Sequence, residues 1–335
     1  MSPETTSVNR LPMLNIEHFE QISLDGTWRF QLLHSPTEKL GKRWASIPVP
    51  GLWTMQEPSE VFFDKPIYTN TQMPFEEMPP FVPAENPTGV YERDFDVPKS
   101  WNGKRIVLQV GGYESVALVY INGQEVGLSK DSRLAAEFDV TQFVQSGNNV
   151  LRIDVTKWSD ATFIEDQDQW WHGGITRSIK LYATNKVFIE RFKSVAGLEK
   201  DGTTGTLSIE ADLGSLDDLS TDGYTLRASI TELPKVKAAN LEKVIQNFTS
   251  PKWTERNADL KKRTDDYFHG KFWDGRLPAD AKAAIMENEP WPHGKVILET
   301  RIPKVNPWSA EVPNLYTLHI ELIDPNGAVI EVSQQ

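Results

Sequence analysis

The feature that most constrains this chain is the way its first half is cut into short runs. Alternating or continuous apolar residues, rich in β-branched and aromatic types, are separated by Gly, Asn, Asp and Pro. Alternation with a period of two puts every second side chain on one face, the pattern of a strand buried on one side, and helical periodicity is scarce. Runs at 23–32, 90–97, 105–110, 115–121, 150–156 and 178–182 are read as strands, and together they predict a β-sandwich. Asn122-Gly123 falls between the runs ending at Ile121 and resuming at Val126. Both residue types accept the positive φ of a type I′ turn, so a hairpin tip is expected there.

Residues 48–87 are too long for an ordinary connection and hold Trp53, Phe62, Phe63, Tyr68, Phe75 and Phe81. So many aromatics argue for an ordered loop packed on something, since a linker would be more polar. From residue 187 a second set of runs follows, at 187–195, 206–213, 224–231, 295–302, 316–323 and 328–332, with the spacing of an immunoglobulin-like sandwich. A charged stretch at 234–293, weakly helical at 240–248 and 258–268, reads as an insertion. The last run ends close to Gln335, and a seven-stranded sandwich needs at least one strand more, so the second domain is expected to be incomplete at its C-terminus. The expected domains are 1–186 and 187–335.

Composition narrows the function. The 335 residues contain no cysteine, which excludes disulfides, thiolate metal sites and a cysteine nucleophile, and favours a reducing, cytoplasmic setting. With 47 Asp+Glu against 35 Lys+Arg the net charge is -12, which repels nucleic acid. Residues 1–17 lack a basic and apolar leader pattern and no apolar run reaches membrane-spanning length, so neither export nor membrane association is expected. The sequence has no G-x-S-x-G elbow, Walker loop, G-x-G-x-x-G or H-E-x-x-H, and its six histidines lack ligand spacing.

The richest polar cluster runs from Trp158-Ser159-Asp160 through Glu165-Asp166-Gln167-Asp168-Gln169-Trp170-Trp171-His172-Gly173-Gly174. Carboxylates accept sugar hydroxyls and indoles stack on apolar sugar faces, so this loop is either a carbohydrate surface or an acidic, solvated loop over buried tryptophan. Asp160 with Glu165 is one possible acid pair for glycosidic hydrolysis, although loop spacing alone does not fix the separation that chemistry needs.

The run Ser23-Leu24-Asp25-Gly26-Thr27-Trp28-Arg29-Phe30, followed by Val49-Pro50-Gly51-Leu52-Trp53, resembles the opening of family 2 glycoside hydrolases. Pro66-Ile67-Tyr68-Thr69-Asn70 and the stretch Pro79-Pro80-Phe81-Val82-Pro83-Ala84-Glu85-Asn86-Pro87-Thr88-Gly89 resemble the β-galactosidase branch of that family. The likeness continues through Asp131-Ser132-Arg133-Leu134, Glu137-Phe138-Asp139, Trp158-Ser159-Asp160 and Glu165-Asp166-Gln167-Asp168. It is weaker beyond residue 190, where Asn306-Pro307-Trp308 and Pro313-Asn314-Leu315-Tyr316 look like the family's second domain.

The resemblance implies an all-β chain, a jelly-roll sugar-binding domain followed by an immunoglobulin-like sandwich. In the family these precede a (β/α)₈ barrel holding the two catalytic glutamates and a magnesium site. It implies that Asn86 and Asp160 hold the galactosyl hydroxyls, that Asp160 is also a sodium ligand, and that no catalytic residue lies in this chain, which alone would be inactive. The partners it implies are a β-galactoside, the barrel in cis or trans, and further copies in a homo-oligomer. Two readings stand beside it: a free-standing carbohydrate-binding module with its platform near Trp170, and an assembly scaffold with its interface at residues 62–81.

Overall fold

The computed structural model describes residues 5–11, 16–216, 219–232, 236–244 and 295–335. Every strand pairing among them is antiparallel, and the only helices are short 3₁₀ turns. The all-β expectation therefore holds. The chain divides into two compact units: residues 1–13 with 21–183, and residues 14–20 with 184–335.

In the first unit a seven-stranded sheet runs Ser7–Val8, Gln124–Ser129, Val116–Ile121, Gly147–Thr156, Thr88–Val97, Gly26–Leu33 and Ala45–Val49 in spatial order. A four-stranded sheet, Ala136–Asp139, Arg105–Val110, Ile179–Thr184 and Gln21–Ser23, supplies the second layer. One hydrophobic core joins residues of both, among them Trp28, Phe30, Leu108, Val119, Phe138, Leu151 and Leu181. Burial of such side chains contributes on the order of 25 cal/mol per Å² of apolar surface, and that term holds the layers together. Asn122 and Gly123 have φ of 51° and 78°, the two positive values the hairpin tip requires.

The 48–87 loop is ordered, as its aromatics predict, and packs on the first unit's own core. Trp53 is fully buried and Phe62 stacks on Phe30 at 5.5 Å. Two small ladders pin the loop: Gly51–Leu52 pairs with Gly174–Ile175, and Ile67–Tyr68 pairs with Trp170–Trp171. A β-carbon on Gly89 or Gly173 would run into the Trp53 indole, so glycine at both positions lets the ring lie flat against backbone. Tyr68, Met78 and Phe81 stay exposed.

The second unit has a three-stranded sheet, Val187–Leu198, Gly205–Ser215 and Lys295–Ile302, and a five-stranded sheet, Glu17–His18, Val329–Gln334, Tyr316–Ile323, Thr225–Glu232 and Val236–Val244. Ile189, Ile209, Leu213, Leu226, Ile320 and Leu322 fill its core. Two of these strands correct the sequence reading. Residues 236–244 form a strand along the free edge of Thr225–Glu232, although 240–248 reads as helical. Helix propensity is a weak preference, and an open row of backbone donors and acceptors overrides it. The strand Glu17–His18 comes from a segment the sequence places in the first domain, yet it pairs with Val329–Gln334. Both strands join the five-stranded sheet of the second unit. The helical expectation at 258–268 lies outside the described residues.

Candidate functional site

The candidate site grows from the end of one ladder. Thr88–Val97 and Gly147–Thr156 pair along their whole length, from Gly147↔Val97 to Thr156↔Thr88. Just beyond, the Lys157 amide donates to the Pro87 carbonyl at 3.0 Å. The Asn86 side chain then takes over the role of backbone: Nδ2 donates to the Trp158 carbonyl and Oδ1 accepts from the Trp158 amide, both at 2.9 Å. Asn86 is 4% exposed and its own amide donates to the His34 carbonyl at 2.8 Å. In this structure both ends of its carboxamide are committed to Trp158.

This clamp delivers Asp160. Ser159 caps the 3₁₀ turn Asp160–Phe163: its Oγ accepts from the Ala161 amide at 3.2 Å, and its own amide donates to Thr162 Oγ1 at 3.0 Å. Phe75 and Trp171 pack edge-on against Trp158 from outside the turn. The Asp160 side chain is 23% exposed, and Lys130 Nζ donates to its Oδ1 at 2.6 Å. Asn86 and Asp160, both singled out by the sequence, are therefore joined through Trp158-Ser159.

The neighbouring acids are each held by a different partner. Glu165 accepts from the Ser132 hydroxyl at 2.7 Å and the Ser132 amide at 3.1 Å, one through each oxygen. Burial pushes its carboxyl above the usual range, against the pull of those hydrogen bonds and of Arg133. Asp168 accepts from the Tyr68 hydroxyl at 2.6 Å. Glu114 accepts from the His172 amide at 3.1 Å and pairs with Arg133 at 3.3 Å. The His172 ring meets Thr54 Oγ1 at 3.0 Å, and burial lowers its pKa.

Behind the loop lies a buried ion pair that sequence reading missed. Lys157 Nζ is 2.8 Å from both oxygens of Asp64, and Trp53 Nε1 donates to Asp64 Oδ2 at 2.8 Å. The ammonium also lies 5.0 Å from the centre of the Trp158 ring. Burial pulls the Lys157 pKa down while the Asp64 carboxylate pulls it up. A signal for Lys157 existed: Leu151, Ile153 and Val155 are buried at a period of two, and Lys157 is the next position in that register. Lys130 likewise follows Val126 and Leu128. A lysine in line with a buried register needs a buried anion.

The arrangement offers a partly exposed carboxylate on a rigid, capped turn, suited to accepting hydroxyl protons. As a cation site it is incomplete. Hard cations take several oxygens, whereas Asp160 contributes one carboxylate whose Oδ1 already receives an ammonium. Among the described residues no group of three or more His, Asp or Glu comes together. The residues described here do not by themselves fit sodium. No described helix is long and apolar enough to cross a membrane.

Comparison with known proteins follows the same division of the chain. Residues 21–185 match the sugar-binding domain model of glycosyl hydrolases family 2, and residues 187–335 match a second model described as glycosyl hydrolases family 2. A β-galactosidase of Psychromonas ingrahamii is 33% identical over 322 residues, covering 93% of this chain and 27% of that protein. One of Kluyveromyces lactis is 30% identical over 346 residues, covering 98% of this chain and 30% of its own length. The chain thus spans under a third of these relatives. Among solved structures, a Bacteroides uniformis β-glucuronidase superposes with a TM-score of 0.64 at 18% identity over 94% of this chain and 32% of its own. A crystal structure described as a putative β-galactosidase from Bacteroides fragilis gives 0.65 at 16% identity over 94% and 40%. At these identities the superpositions speak for the fold.

Proposed function

Because the chain belongs to glycoside hydrolase family 2, we propose that it forms the front part of a retaining, cytoplasmic β-galactosidase acting on terminal β-D-galactosides such as lactose. The observation that carries this reading is the Asn86–Trp158 clamp, which fixes Asp160 at the edge of the first sandwich with its carboxylate partly exposed. Asp160 accepts galactosyl hydroxyls. Asn86 sets the place of that carboxylate through Trp158, and its contribution to substrate holding runs through this loop.

Retention takes two carboxyl groups about 5 to 5.5 Å apart, one protonating the leaving oxygen and one forming the glycosyl intermediate. On this reading both belong to the parent enzyme's barrel, together with magnesium, and homo-oligomerisation belongs to the parent as well. Sodium at Asp160 would need its further oxygens from that barrel. The 335 residues supply one side of the sugar site, holding and orienting substrate once the rest of the parent is present; they do not cleave.

One observation favours a second reading. Trp170 is 54% exposed beside Tyr68, the ring centres 5.5 Å apart, and this pair offers a free-standing module a stacking surface. Hydrolysis of a chromogenic β-galactoside separates cleavage from binding. The purified 335 residues should give no turnover, and a longer form carrying the rest of the parent should give turnover that falls in Asp160→Ala. Turnover by the 335 residues themselves, lost in Asp160→Ala or Glu165→Ala, would overturn the proposal and put catalysis in the acidic loop.

A further inference from the structure

We infer that Lys130 is a positioning residue for galactoside binding, acting through Asp160; this rests on the reading of Asp160 as a sugar ligand. Four observations converge on it. Lys130 lies one residue past Gln124–Ser129, and its side chain is only 5% exposed. Its backbone is fixed from the N-terminal segment: the Lys130 amide donates to the Thr6 carbonyl at 3.0 Å, Ser7–Val8 pairs with Leu128–Ser129, and Arg10 binds Asp131 at 3.0 Å. The ammonium reaches Asp160 Oδ1 at 2.6 Å. The backbone of Asp160 is held independently by the Ser159 cap and the Asn86 clamp.

These contacts divide the work. The cap and clamp decide where Asp160 sits, and Lys130 decides where its carboxylate points. A carboxylate on a partly exposed aspartate samples several rotamers unless a partner selects one. A charge-assisted hydrogen bond from an ammonium that is itself immobile selects one and keeps it selected before substrate arrives. With Oδ1 committed to Lys130, the remaining lone pairs of the carboxylate are the acceptors left for sugar hydroxyls. A loosened Asp160 would pay the ordering cost at each binding event, which appears in KM. Steps carried by groups outside this loop would appear in kcat and stay as they are.

The test is a double-mutant cycle in the longer, hydrolytically active form, with Lys130→Met, Asp160→Asn and the double variant assayed on a chromogenic β-galactoside. Lys130→Met should raise KM about tenfold and change kcat by less than about threefold, the pattern of lost binding that is uniform between ground and transition state. If Lys130 acts through Asp160, the double variant should bind no worse than Asp160→Asn alone. The double variant also removes both charges, so it stays folded where an unpaired buried charge could disturb the loop; thermal unfolding of each variant verifies this. Unchanged KM in Lys130→Met would overturn the inference, and so would penalties that simply add. If the unaltered longer form gave no turnover on galactosides, the reading of Asp160 would fall, and this inference with it. If Asp160→Asn raised KM while Lys130→Met did not, only the inference would fall.

Discussion

Two turns of the second unit and the aromatic-rich edge of the first treat acidic residues in opposite ways. Asp201 accepts from the Thr204 hydroxyl at 2.7 Å and from the Thr203 and Thr204 amides at 2.9 and 2.8 Å, which pulls its pKa down to about 2. Asp324 does the same for the turn before Val329–Gln334, accepting from the Ala328 and Asn326 amides, and its pKa is lowered mainly by the Ala328 amide. Both carboxylates are spent on neighbours two to four residues away. In the first unit Asp64 meets Lys157 across 93 residues, Asp168 meets Tyr68 across 100, and Asp160 meets Lys130 across 30. A local turn needs only its own backbone, whereas a loop held by distant partners has a shape that the whole sandwich imposes. That rigidity is what a binding site requires, and it marks the first unit's edge as the place where polar groups serve more than local folding.

The contrast can be broken in order of expected effect. Asp64→Ala strands the Lys157 ammonium in the interior and should cost about 3–5 kcal/mol in chemical denaturation, since breaking one half of a buried pair leaves an uncompensated charge. Gly173→Ala pushes a methyl into the Trp53 ring and should cost about 1–3 kcal/mol by overpacking. Glu165→Gln sharpens the contrast through pH. Burial raises the Glu165 pKa, so at intermediate pH the unfolded chain is ionised where the folded loop still holds its proton. Its stabilising contribution is full below the ordinary carboxylate range and is lost as pH rises through the raised value. Melting temperatures from about pH 4 to about pH 7 should therefore fall for the unaltered chain relative to Glu165→Gln, which cannot ionise. Asp324→Ala should leave the melting temperature close to that of the unaltered chain, because water replaces the lost contacts of an exposed turn.

The sandwiches were legible because period-two alternation and turn residues carry them. Residues 105–110, 295–302 and 316–323 agree with the observed strands end to end. Val236–Val244 and Glu17–His18 were not, because an added edge strand is defined by the strand it joins rather than by its own composition. At the site, the resemblance to the family brought Asn86 and Asp160 forward but could not show that Asn86 acts as a piece of backbone. Its partner, the Trp158 main chain, has no residue identity to read. Lys130 and Lys157 were overlooked for a different reason: the register marked them as inward-facing, but a lysine invites the assumption of a solvated surface.

The most direct test of the account is calorimetric titration of the 335 residues with lactose and with galactose, beside Asp160→Ala. If the loop is one side of a site completed by the rest of the enzyme, neither sugar should bind saturably at millimolar concentration, and the variant should behave identically. Saturable binding of galactose by the 335 residues, abolished in Asp160→Ala, would contradict it and make this chain a carbohydrate-binding module in its own right.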